Sequence, residues 1–244
     1  MKKFLPLFII SCLLCFPAHG TEPKLDTLTI GTESNYPPYE FMKNGELTGF
    51  EIELVRELGK RLQKKIVFKD MAFDNLLFAA KSGQVQGVAA GLTPTPDREK
   101  QVNFSKPYIA QNPLVIVSLQ DKVYKTMDEL KGKWVIVNDG FVADAYVSAM
   151  KDIKVKKLPT MVEAFMALQA KKADAYIVVK DAAQTYIQKQ SKPNLVINAL
   201  PVGETIAFAI SKKFPELLAE INKAITTMET DGSLAALKKK WQIQ

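Results

Sequence analysis

The stretch Gly91-Leu92-Thr93-Pro94-Thr95-Pro96-Asp97-Arg98-Glu99 carries the side chain with the plainest chemical potential in the sequence. Thr95-Pro96 reads as a helix start, with Thr95 as the cap and Pro96 at the first helical position. Arg98 then falls in the first turn, where the helix dipole disfavours a cation by roughly 0.3–1 kcal/mol. Asp97 and Glu99 suit that place; Arg98 does not. A planar guanidinium can offer a two-pronged fork to a carboxylate, and the free N–H groups of a helix start also attract an anion. The other reading is a surface arginine paired with Asp97 or Glu99. The residues alone leave the two level.

Glu33 lies just past the strand expected at 27–32, where open α/β sheets take their ligands. It reads either as a solvated loop acid or as a counter-charge for a lysine or arginine side chain. Asn35-Tyr36-Pro37-Pro38 makes a stiff loop that would display Tyr36, and an aromatic neighbour adds a cation–π contribution. Gly91 would let a ligand approach the backbone closely, although ordinary turn chemistry explains it as well.

The chemistry the chain excludes is equally informative. Lys2-Lys3, an apolar run from Phe4 to Phe16 and the small residues of Ala18-His19-Gly20 read as a secretory signal peptide over residues 1–20, cleaved before Thr21. Ile9-Ile10-Ser11-Cys12 also resembles a lipobox, which would leave a lipid anchor on Cys12. The apolar Leu13-Leu14-Cys15-Phe16 directly after it argues against that. Losing the leader removes both cysteines, Cys12 and Cys15, and the single histidine, His19. Residues 21–244 therefore hold no disulfide, no thiolate or imidazole metal site and no nucleophile–histidine pair. No metal and no cofactor are expected. The net charge of +7 raises the question of nucleic acid, but the lysines are scattered over amphipathic segments without aromatic interleaving, so no nucleic-acid partner is expected.

Positioning these residues requires a scaffold, and its grammar is regular. Apolar strands at 27–32, 64–70 and 85–91 alternate with helices at 49–62 and 73–83. The pattern restarts with strands at 130–138, 153–158 and 173–179 and helices at 141–150 and 160–172. Further strands fall at 112–118 and 205–211, and 215–241 is helical, broken at Asp231-Gly232. Two βαβαβ runs argue for two α/β lobes. The final helical part belongs most economically with the first run, so lobe 1 takes 21–111 and 203–244, and lobe 2 takes 112–202. Two crossings near 109–113 and 199–205 would form a hinge beside a cleft.

In this order stand Ile30 to Phe41, Gly49 to Leu62 (Gly-Phe-Glu-Ile-Glu-Leu, then Leu58, Gly59 and Leu62), Ala90 to Glu99, Asn103 to Tyr108 and Asp128 to Val137. With these motifs the sequence resembles the periplasmic polar amino-acid-binding proteins, the solute-binding components (family 3) of ABC transporters. The resemblance implies a type II periplasmic-binding-protein clamshell, each lobe a mixed sheet flanked by helices. It further implies a monomer in the periplasm, closing on an amino acid and delivering it to a membrane permease. By the same resemblance Arg98 clamps the ligand α-carboxylate. The Ala90 carbonyl, Gly91 and the Thr93 hydroxyl supply polar contacts, Tyr36 and Phe73 form aromatic walls, and Glu33 meets a basic side chain.

Lobe 2 departs from the pattern. Phe141 and Val142 stand where small hydroxyl residues are expected, and the position of the acid that pairs with the ligand ammonium falls on Val179. Asp181, two residues on, could substitute only with a shifted backbone. The implied function is non-enzymatic binding of a polar, basic amino acid. Two alternatives stay open: a dehydratase acting on arogenate or prephenate, with Glu33 or Glu204 as general acid, and a sensory or surface protein on the same scaffold.

Overall fold

The structure is a computed structural model that describes residues 26–190 and 194–243. The leader assigned to 1–20 lies outside the described residues. Strand β1 (Thr27–Thr32) opens into a small antiparallel meander of β2 (Asn35–Tyr36), β3 (Glu40–Lys43) and β4 (Glu46–Thr48). Helix α1 (Phe50–Arg61) leads to β5 (Lys65–Asp70), and α2 (Phe73–Ser82) to β6 (Gly87–Val88). The single turn α3 (Pro96–Glu99) and β7 (Asn103–Phe104) precede a long strand, β8 (Ile109–Leu119). After a 3-10 turn come β9 (Trp134–Asn138), α4 (Val142–Ser148), β10 (Lys154–Leu158), α5 (Met161–Gln169), β11 (Ala175–Val179) and α6 (Lys180–Gln188). A second long strand, β12 (Leu195–Ile206), then β13 (Ala209–Ile210), α7 (Pro215–Thr230) and α8 (Ser233–Trp241) follow.

These strands form two five-stranded mixed sheets, in the orders β5-β1-β6-β13-β7 and β10-β9-β11-β8-β12. In the first, β1 lies parallel to β5 and β6 while β13 runs antiparallel to its neighbours. In the second, β9 lies parallel to β10 and β11 while β8 pairs antiparallel with β11 and β12. The fold is the expected two-lobed α/β clamshell.

Helix α1 shows how the first lobe is assembled. Ile52, Leu54, Val55 and Leu58 are buried along one stripe, and Arg56 and Lys60 face outward. Gly49 enters the helix at φ 129°, and a Cβ there would lie 2.1 Å from the Tyr39 carbonyl oxygen. Only glycine fits. The backbone of this junction is tied in the same way, with the Phe50 N–H donating to Pro38 and the Glu51 N–H to Tyr39.

Several strands differ in extent from the sequence pattern. Of 85–91 only Gly87–Val88 joins the ladder, because the chain turns away at Gly91 with φ 60°. The start of 130–138 is a 3-10 turn at Asp128–Leu130. The strand expected at 205–211 splits between the end of β12 and β13, whereas the one at 112–118 extends to Ile109–Leu119.

Strands β8 and β12 pair along most of their length, from Leu195 opposite Leu119 to Ile206 opposite Ile109. Their register slips between Ala199 and Gly203 and again between Glu204 and Ile206, and Gln111 sits at φ 58°. Beyond the slips the chain joins the first sheet's side: the Tyr108 N–H donates to Ile206, the Ala207 N–H to Leu92 and the Ser105 N–H to Phe208. Irregular pairing at this point is where two long strands can bend.

Candidate ligand-binding cleft

Arg98 lies where the sequence places it. Thr95 caps the one-turn helix by accepting from the Arg98 N–H at 3.3 Å, and Pro96 is its first residue. The surface pairing that competed for Arg98 goes elsewhere, since Asp97 is engaged by Lys100 at 2.7 Å. The guanidinium instead points across the molecule. Nη1 donates to the Thr93 carbonyl at 2.9 Å and Nη2 to the Gly140 carbonyl, ahead of α4, at 2.8 Å. Its carbon lies 5.8 Å from the Phe73 ring centroid. Partial burial pulls the guanidinium below its ordinary value, and the charge of Glu204 acts against that pull.

The aromatic residues gather around it. Phe141, from the second sheet's side, stacks on Phe73 with centroids 4.2 Å apart and planes at 20°, and meets Tyr36 at 5.1 Å and 55°. Tyr36 is buried, stacked on Tyr39 at 5.5 Å. Gly91, at φ 60°, leaves its absent Cβ 3.4 Å from the Tyr36 ring. Val142 begins α4 beside Phe141. The aromatic at 141 thus packs on Phe73 and Tyr36 where the sequence pattern anticipates a hydroxyl.

Glu33 closes another side. It is 7% exposed and accepts from Asn35 Nδ2 at 3.1 Å. Burial pushes its carboxyl up to about 7; the Asn35 hydrogen bond opposes this, and the charges of Asp70 and Asp74 add to it. Asp70 is fixed by the Ser34 hydroxyl at 2.5 Å, and Asp74 follows Phe73 in α2. Three acids therefore collect near the aromatic walls, an environment that favours a cation.

Other buried acids pack around this group. Glu51, fully buried in α1, accepts from the Gly91 N–H at 2.8 Å and from the Tyr108 hydroxyl, which holds the Ala90-Gly91 turn in place. Glu40 is buried next to it, and burial followed by the Glu51 charge holds its carboxyl well above the usual range. Asp181, buried in the first turn of α6, accepts from the Tyr39 hydroxyl at 3.2 Å, and Tyr39 in turn accepts from Asn112. Glu204, 4% exposed on β12, accepts from the Thr93 hydroxyl at 3.5 Å. The acid at 51 is visible in the Gly-Phe-Glu-Ile-Glu motif; the sequence offers Glu204 as a candidate general acid, but nothing local places it beside Thr93.

The described residues contain no cluster of three or more acids, histidines or cysteines able to hold a metal, and no helix among them is long and apolar enough to cross a membrane.

A sequence model of the bacterial extracellular solute-binding proteins, family 3, matches residues 28–244. The chain belongs to this family. Among its relatives, the arginine-binding extracellular protein ArtP of Bacillus subtilis is 34% identical over 99% of this chain and 98% of its own length. A probable histidine-binding protein of Campylobacter jejuni is 29% identical over the whole of both. A solved structure of an ancestral arginine-binding protein bound to arginine superposes with a TM-score of 0.84 at 36% identity, over 88% of this chain and 97% of that one. Arg98, the rings of Tyr36, Phe73 and Phe141 and the buried Glu33 thus gather groups able to meet a ligand that carries both charges.

Proposed function

We propose that the protein is the periplasmic solute-binding component of an ABC importer and takes a basic amino acid of the arginine or lysine type. One observation carries this reading: Arg98 and Glu33 supply opposite charges around the walls Tyr36, Phe73 and Phe141. A carboxylate suits Arg98, whose five N–H groups exceed the two spent on the Thr93 and Gly140 carbonyls. An aliphatic stem suits the aromatic faces, and a guanidinium or ammonium suits the three acids around Glu33. Ala90, Gly91 and Thr93 present polar groups along the turn that Glu51 fixes.

Lobe boundaries at 111/112 and 202/203 fit the register slips of β8 and β12, about which the lobes would close. The leader at 1–20 fits export, and delivery to a permease follows from the family. The ligand names of the relatives favour a binding role over a dehydratase. A thermal-shift panel of the twenty amino acids tests the proposal. Arginine or lysine at about a hundredfold over its dissociation constant should add roughly 2.7 kcal/mol of stability. A response confined to neutral or acidic amino acids would refute the specificity.

A further inference from the structure

A free amino acid presents its carboxylate and its α-ammonium on the same carbon, so a site that takes both must set a cation and an anion side by side. One residue of the cleft brings such a pair together. The Thr93 carbonyl accepts from Arg98 Nη1 at 2.9 Å, and the Thr93 hydroxyl donates to Glu204 Oε2 at 3.5 Å. Glu204 is 4% exposed, and among the described residues that long bond is the one its carboxylate receives from a side chain.

The backbone holds it there. Glu204 lies opposite Asn112 between the two register slips, and the Ala207 N–H, three residues on, donates to Leu92 next to Thr93. A carboxylate this buried, with a cation beside it and one weak donor, has capacity for a further charged partner.

We propose that Glu204 receives the α-ammonium of the amino acid whose carboxylate Arg98 holds. This inference rests on the amino-acid reading above and adds to it the residue that distinguishes an amino acid from a plain carboxylic acid. Asp181, by contrast, accepts from the Tyr39 hydroxyl. Burial first, and then the opposing charge of Arg98 and the Thr93 bond, leave Glu204 at about 7, an acid ready to ionise when a cation arrives.

The test compares arginine with 5-guanidinopentanoate, which keeps the guanidinium, stem and carboxylate and lacks the α-ammonium. Calorimetric titration of the mature protein and of Glu204→Gln with both ligands gives four affinities. The proposal expects Glu204→Gln to weaken arginine by about 30-fold or more and to leave 5-guanidinopentanoate within about threefold. Equal losses for both ligands, the mark of a side chain that merely shapes the cleft, would overturn it, as would undiminished arginine binding. Should Glu204→Gln fail to fold, Glu204→Asp retains the charge on a shorter arm and must show the same selective loss. Wild-type protein that binds no arginine would refute the amino-acid reading itself; wild-type binding with equal losses refutes the Glu204 assignment alone.

Discussion

At the residue scale, several charges are poorly served by the fold itself. Arg98 occupies a first turn that does not favour it, and spends two N–H groups on carbonyls of opposite lobes. Replacing Arg98 with alanine is expected to weaken arginine binding by about 2–5 kcal/mol, while the unliganded melting temperature moves little. Calorimetry beside a melting curve checks both; lost stability with intact affinity would assign Arg98 to the fold. Glu33 and Glu204 are pushed from an ordinary 4.5 to about 7 by burial. Their neutral forms are the ones the folded chain tolerates. The unfolded chain releases these protons near 4.5, so unliganded stability should fall as pH rises from there toward 7. A cationic ligand reverses the preference, so arginine affinity should fall as pH drops below 7, with protons released on binding. Titrations in buffers of different ionisation enthalpy measure that release, and Glu33→Gln should reduce it.

At the element scale, glycine and acid together fix the Ala90-Gly91 turn. Gly49 admits the chain to α1 against the Tyr39 carbonyl, and Glu51 in that helix reaches the Gly91 N–H. Gly49→Ala sets a Cβ into backbone at a positive φ. Such strain costs of order 1–3 kcal/mol before the clash is counted, and each kcal/mol lowers the melting temperature by about 2–4 °C. A melting temperature unchanged by Gly49→Ala would contradict the packing described for this junction. These elements also show what the sequence could reveal. Helix α1 was legible because Ile52, Leu54, Val55 and Leu58 repeat at helical spacing, and Thr95-Pro96 because capping is a local event. The third wall at Phe141 and the placement of Asp181 were not. Both depend on how lobe 2 meets lobe 1, a contact between distant segments that no local pattern encodes. Glu204 was legible as a candidate general acid but not as a partner of Thr93, which lies far away in the chain.

At the scale of the whole molecule, two lobes joined by β8 and β12 meet through Arg98 with Gly140 and Phe141 with Phe73 and Tyr36. We place the hinge at the slips in the β8–β12 ladder, and opening there would part Phe141 from Phe73 and Tyr36 to admit a ligand. Small-angle scattering should give a smaller radius of gyration with arginine than without; an identical profile at saturation would count against a clamshell. We expect the site to select an amino acid by its terminal cation. Calorimetric titration of the mature protein with arginine and with citrulline, its uncharged near-isostere, isolates that charge. Arginine should bind at least about 30-fold more tightly, the lower bound for a buried charge pair. Equal affinity for the two would contradict it.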